Sequence, residues 1–274
     1  MTIAQSQPLP QPDSQPDSVR EQILEPEGFP APPSNLPYDD GVPLETPRHR
    51  AAMNVLIDSL DHYWSDRSDY FVGGNMFLYY SAAQVRNQDF RGPDFFAVLG
   101  VDRFALRKYW AIWDEAGKYP DVIIELMSDS TSSIDLGEKK HLYERTFKTP
   151  DYLVYDPYAP QSLQGWHLDQ NQRYQPLQPN PQGWLWCHSL ELWVGVWEGT
   201  LNRQVAPWLR FYDPAGNLVL LADEASQQRA EQAQQRAEQA QQRAEQESLR
   251  AEQAQQRAEQ LADRLRAMGI DPEA

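Results

Sequence analysis

The C-terminal repeat leaves the backbone the least choice. Ala-Glu-Gln-Ala-Gln-Gln-Arg occurs at 230, 237 and 251, with the variants AEQESLR at 244 and AEQLADR at 258. Every residue in it is a good helix former, and neither Gly nor Pro interrupts it, so the segment must be helical. About 45 residues rising 1.5 Å each make a rod of roughly 65–70 Å. A period of seven predicts a left-handed coiled coil. The seam is mostly Ala230, Ala233, Ala237, Ala240, Ala251 and Ala254, with Leu only at 261 and 265, and Glu247 falls on it. Alanine buries little apolar surface, so association along this seam is weak. A solitary extended helix and a homo-oligomer joined through it are equally compatible with the pattern. The rod carries no chemistry of its own.

The remainder divides by composition. Residues 1–45 are rich in Pro, Gln, Ser and acid, and too poor in large apolar groups to offset their conformational entropy. A disordered arm is expected there. A globular domain is expected over 46–222, the long helix over 223–268, and a short tail over 269–274. The domain opens with a helix: Thr46 can cap it, Pro47 suits its first turn, and Ala52, Leu56, Ser59, Leu60 and Tyr63 line one face. The runs FVGGNMFLYYS, GPDFFAVLGV, DVIIELMS and DYLVYDP read as strands, with a helical stretch around Leu136–Phe147 before the last of them. After residue 160, LQGWHL, RYQPL, GWLWCH, LELWVGVW and NLVLLA, divided by Gly, Pro and Asn, read as hairpins. The pattern predicts an α/β fold, a mixed sheet flanked by helices.

Charge and cysteine content narrow the function. Forty acidic residues against 24 basic ones give a net charge of −16. Nucleic acid is repelled by such a chain at long range, so any role there needs a local basic groove or metal ions. One cysteine, Cys187, rules out an internal disulfide and a thiolate zinc cluster. The N-terminus has neither a basic start nor an apolar core, and no stretch approaches the roughly 20 apolar residues of a membrane span. A soluble, cytoplasmic protein without membrane partners is expected.

The chemistry is expected around residue 125. Val122-Ile123-Ile124-Glu125-Leu126-Met127 reads as a buried strand with a carboxylate in its middle, where an unpaired charge costs several kcal/mol. Alternation puts Asp121, Ile123, Glu125 and Met127 on one face and Val122, Ile124 and Leu126 on the other. Asp94, at the start of its own strand, is a candidate partner. Two carboxylates on neighbouring strand ends make a hard oxygen site for Mg²⁺ or Mn²⁺, which polarises a phosphoryl oxygen and acidifies bound water. Asp135, Lys139 and Tyr143 share a helix face at i, i+4 and i+8. If that face meets the sheet rim, Lys139 can stabilise charge on a scissile phosphate. The bland alternatives are a solvated Asp–Lys pair, a buried Glu125 satisfied by Arg or backbone donors, and an Asp94 that only follows Pro93 in a turn.

GPDFFAVLGV, YPDVIIELMSDST, Asp135-x-x-x-Lys139-x-x-x-Tyr143 and TPDYLVYDP together resemble the Uma-type family of predicted restriction endonucleases, abundant in cyanobacteria. The similarity runs from the PRHR helix near residue 47 to about 221. It implies a restriction-endonuclease-like fold of the PD-(D/E)xK nucleases, a mixed sheet with helices on both faces. It also implies that Asp94 is the motif's Asp and Glu125 its second acid, both of them metal ligands. The motif's lysine would stand two residues on, where this chain has Met127, so Lys139 is expected to supply the ammonium from the next helix. Pro120-Asp121 looks like a decoy, since it shares a strand with Glu125. His49, in the first turn of the opening helix, is expected to be structural.

Three functions are then in play. One is a metal-dependent endonuclease acting on nucleic acid, DNA first, through Asp94, Glu125 and Lys139. Another is a non-catalytic binding or scaffold module of the same fold that associates through its C-terminal helix. Carboxylate-pair sugar hydrolysis, suggested by nine tryptophans, ranks below both, because core packing accounts for those residues better. Local charge separates the first two. Arg91, Arg103, Arg107, Lys108, Lys118, Lys139, Lys140 and Arg145 must gather round the carboxylates to make a groove, whereas dispersal favours the module.

Overall fold

A computed structural model of the chain describes Leu36, residues 46–81, Gln84 and residues 91–269. The expected arm lies almost wholly outside the described residues. Helix α1, Pro47–Tyr63, starts as its sequence requires: Thr46 is extended and its hydroxyl accepts the His49 N–H, with Pro47 in the first turn. Ala52, Leu56, Ser59 and Leu60 are buried on the expected face, with Met53 and Val55 beside them. Tyr63 departs from that expectation and is exposed, standing at the helix's last residue.

The main sheet has six strands in the order β1-β3-β5-β6-β7-β8. Their ranges are β1 Tyr70–Gly73, β3 Phe95–Leu99, β5 Val122–Leu126, β6 Asp151–Asp156, β7 Ala159–Leu168 and β8 Tyr174–Pro176. Only β5 and β6 run parallel; the other neighbours are antiparallel. The run FVGGNMFLYYS is not one strand. It breaks at Gly73-Gly74, and its second half, β2 Leu78–Tyr79, pairs instead with β4, Trp110–Ala111. Close approach dictates the break: a Cβ on Gly74 would sit 2.1 Å from the Asp94 carbonyl oxygen. That contact also fixes the chain entering β3.

β5 is buried along its whole length, and its two faces serve two cores. Val122, Ile124 and Leu126 pack with α1 and the second sheet, among Leu56, Leu60, Leu153, Tyr155, Val194 and Phe211. Ile123 and Met127 pack on the other face with Phe96, Trp110, Tyr143, Phe147 and Tyr152. The helix covering that second face, α2, runs from Ser132 to Phe147. A short α-helical start, Ser132–Ile134, is followed by a π turn at Asp135–Lys139, an α turn at Lys140–Leu142 and a second π turn at Tyr143–Phe147.

The second sheet, in the order β11-β10-β9, comprises β9 Leu185–Cys187, β10 Leu192–Leu201 and β11 Gln204–Tyr212. Asn202 and Arg203, both at positive φ (51° and 63°), close the β10–β11 hairpin with the hand of turn that twisted strands favour. NLVLLA, expected as a strand, makes only a single bridge from Leu218 to Tyr212. The tryptophans pack: Trp110 and Trp208 are fully buried, and Trp184 stacks on Tyr212 at 3.8 Å. Helix α3, Ala222–Ala267, has 46 residues and none of them is buried, so the alanine seam faces solvent. Its root is held by Glu224, which accepts from the buried Arg210 guanidinium (2.6 Å) and from the Leu221 N–H. Among the described residues no helix is long and apolar enough to cross a membrane.

Candidate active site

Strand direction assembles the site. Because β3 runs antiparallel to β5, with Phe95 opposite Ile124, the start of β3 lies beside the end of β5. Asp94 therefore arrives next to Glu125. Its Oδ2 accepts the Leu126 N–H at 2.8 Å, and its own N–H points at Glu125 Oε2 at 3.4 Å. Among the described residues, Asp94 Oδ1 has no hydrogen-bond partner.

Glu125 is fully buried and satisfied by side chains, not by arginine or backbone alone. The Tyr143 hydroxyl donates to Oε1 at 2.7 Å, and the Lys139 ammonium lies 3.1 Å from Oε2. The same ammonium is 2.8 Å from Asp135 Oδ1, while the Tyr152 hydroxyl donates to the Asp135 carbonyl at 2.8 Å. So the expected trio on α2 does converge on Glu125. The π turns explain how. Four residues of ordinary α-helix overshoot one full turn by about 40°, so i and i+8 would drift apart around the axis. A wider turn takes fewer degrees per residue and pulls the row back into line.

The electrostatics leave this cluster short of positive charge. Asp94, Glu125 and Asp135 would carry three negative charges against one on Lys139, a formal balance of −2 in a part-buried space. Burial, and then the nearby Glu125, push the Asp94 carboxyl well above the ordinary carboxylate range. Burial works against the Lys139 ammonium, but Glu125 and Asp135 outweigh it and raise its pKa, so it stays protonated. Burial and Glu125 likewise raise the Tyr143 phenol, which remains a donor. The donor set suits a hard divalent ion: two adjacent carboxylates, one with an uncommitted oxygen, and a charge deficit that a 2+ ion cancels.

The other sequence candidates take structural places. Met127 is buried in the apolar cluster beside Glu125, so a lysine there would be surrounded by aromatic rings. Asp121 Oδ2 accepts the Leu99 N–H at 2.7 Å and stands at the far end of β5. His49 Nε2 lies 3.1 Å from the Met127 carbonyl and braces the end of β5 from α1. Apart from Lys139, these cations do not ring the carboxylates. Arg91, Arg103, Arg107 and Arg145 pair with Glu138, Asp61, Glu115 and Glu144 respectively. Lys118 reaches the Leu99 carbonyl, and Lys140 lies over the Trp166 ring at 3.7 Å. The Tyr152 support beneath Asp135 was not anticipated, and TPDYLVYDP carried no sign of it beyond an aromatic in a buried strand.

A family model described as "Putative restriction endonuclease", Uma2, matches residues 24–204. No curated protein matches. One solved structure that matches is described as a putative nuclease belonging to DUF820 from Anabaena variabilis ATCC 29413. It is 14% identical with a TM-score of 0.37, and the match covers 51% of this chain and 75% of that one. With two thirds of its length matched by the family model and its strand, acid and helix motifs in one fold, this chain belongs to the Uma2 family.

Proposed function

We propose that the chain is a metal-dependent endonuclease that hydrolyses phosphodiester bonds of nucleic acid, DNA first. Asp94 and Glu125 would hold Mg²⁺ or Mn²⁺, with the free Oδ1 of Asp94 and Oε2 of Glu125 as donors. When bound, the ion supplies Lewis-acid polarisation of a phosphoryl oxygen and a water of lowered pKa. The protein's own groups do the rest. Tyr143 pins Glu125 Oε1, which presents Oε2 in one orientation. Lys139, permanently charged, sets an ammonium where negative charge grows on the phosphate, and Asp135 holds it there. One observation carries this reading: Asp94 at the start of β3, and Lys139 and Tyr143 on α2, all come within about one hydrogen bond of Glu125 on β5, Asp94 through its N–H.

Calorimetric titration of Mg²⁺ and Mn²⁺ into the wild type and Glu125→Gln, with plasmid nicking on the same samples, tests it. Metal binding and nicking that both vanish in the variant support the mechanism; absence of metal binding to the wild type refutes it. A second reading, a non-catalytic module of the same fold associating through α3, rests on the dispersal of the cations into separate pairs. Metal binding without cleavage of duplex or single-stranded DNA or of RNA would select it.

A further inference from the structure

At the opposite end of the main sheet from Glu125, three side chains meet that the proposed nuclease site does not use. Asp151 begins β6, His167 stands near the end of β7, and His188 directly follows β9. Asp151 is fully buried; His167 and His188 expose 33% and 46% of their side chains. Both imidazoles turn Nδ1 towards the same carboxylate oxygen, Asp151 Oδ1, at 2.9 and 3.6 Å. One ligand atom from each residue falls within 4.8 Å of the others. The rings stack with centroids 4.0 Å apart and planes 30° from parallel.

We propose that Asp151, His167 and His188 bind a divalent transition-metal ion of the Zn²⁺ class, which ties the main sheet to the second sheet. Ligand atoms about 2.0–2.2 Å from a tetrahedral ion stand roughly 3.3–3.5 Å from one another. The two observed separations bracket that distance, so small rotations suffice. Two imidazoles and a carboxylate favour Zn²⁺ and its neighbours over Mg²⁺, which prefers oxygen alone. The two carboxylate oxygens divide their tasks. Oδ2 accepts from both the N–H and the hydroxyl of Ser189, each at 2.7 Å, which fixes the group as a second layer of partners fixes a metal ligand. Oδ1 faces the two imidazoles, and the buried Cys187 thiol is hydrogen-bonded to the same carboxylate.

A plain hydrogen-bonded pair explains only half of this. His167 Nδ1–H can donate to Asp151 at 2.9 Å, but at 3.6 Å His188 is too far to do so. His188 is nonetheless stacked on His167 with its nitrogen turned inwards. A shared ion accounts for both rings, and the exposed flank of His188 provides the way in and a fourth position for water. Alternation along β6 puts Asp151 on the face opposite Val154, which sits beside Glu125. Val154 is also three residues away, roughly 10 Å along the strand, so this ion would be separate from the carboxylate pair.

The test uses full-length, tag-free protein stripped of metal, with Zn²⁺ alone as probe. The expected result is one Zn²⁺ bound and a rise in Tm of roughly 5–10 °C at a hundredfold excess over Kd. His188→Ala and His167→Ala should each weaken Zn²⁺ binding at least tenfold and abolish the rise. His188→Ala removes a half-exposed ring and is the variant least able to harm folding. Glu125→Gln should keep the full rise. The proposal is overturned if Zn²⁺ does not bind, if both histidine variants bind it normally, or if Glu125→Gln is the variant that loses it.

Discussion

The two ends of the central strand pair make opposite uses of a Pro-Asp step. Pro93-Asp94 opens β3 and Pro150-Asp151 opens β6, and both aspartates neighbour β5. β3 runs against β5, so Asp94 reaches the strand's end and meets a second acid. β6 runs with β5, so Asp151 stays at its start and meets two histidines instead. The first aspartate is placed beside like charge and held in place by a single backbone N–H. The second is enclosed by donors: the serine's two, the His167 ring and the buried Cys187 thiol. The same dipeptide is thus frustrated at one end and satisfied at the other, and only strand direction separates the outcomes.

The largest effect that can break this contrast is at Lys139. Lys139→Ala leaves Glu125 and Asp135 buried beside Asp94 with no cation, and should cost about 3–5 kcal/mol. A shift in urea midpoint at unchanged m-value measures it; a loss under about 1 kcal/mol would mean that the acids simply protonate. At the other end, Asp151→Ala in metal-free protein strands the Ser189 donors and should cost about 2–3 kcal/mol.

Asp94→Asn should act with the opposite sign. The folded chain holds the Asp94 proton above the ordinary carboxyl range, whereas the unfolded chain has released it. Proton binding is then greater in the folded state, and stability falls as pH rises from that range through the raised Asp94 pKa. Without metal, Asp94→Asn should remove this decline, and its Tm should exceed the wild type's at pH 8 but not at pH 4. Added Mg²⁺ should raise Tm in the wild type alone. Equal pH profiles for the two proteins would show that Asp94 is not strained.

These residues show what a sequence can and cannot carry. Glu125 was legible because an acid inside Val122–Leu126 breaks an apolar run, and Asp135, Lys139 and Tyr143 because their spacing repeats on a helix face. The match depends on π turns that spacing alone does not reveal. The break at Gly74 was hidden, since it depends on the Asp94 backbone passing 20 residues later in the chain. The Asp151 cluster was hidden for a like reason. Its three residues come from β6, β7 and the turn after β9, and no local period links them. The rod's helix, by contrast, is written in its repeat, because a helix's backbone contacts are local.

The smallest expected effect lies in that rod. Glu247→Ala should change the domain's stability by less than about 0.5 kcal/mol, since residue 247 is exposed. If the variant raises Tm in a concentration-dependent way, copies meet along the seam.

The rod's seven-residue repeat has a geometric consequence. Seven residues fall short of two full turns by about 20°, so a seven-residue stripe creeps around an untwisted helix. From Ala230 to Leu265 lie five such intervals, and the stripe swings by roughly 100° between its ends. A rigid, straight surface laid along the rod would touch the alanines over about two intervals and then lose them. Only a surface that winds left-handed around the rod can follow them to the end.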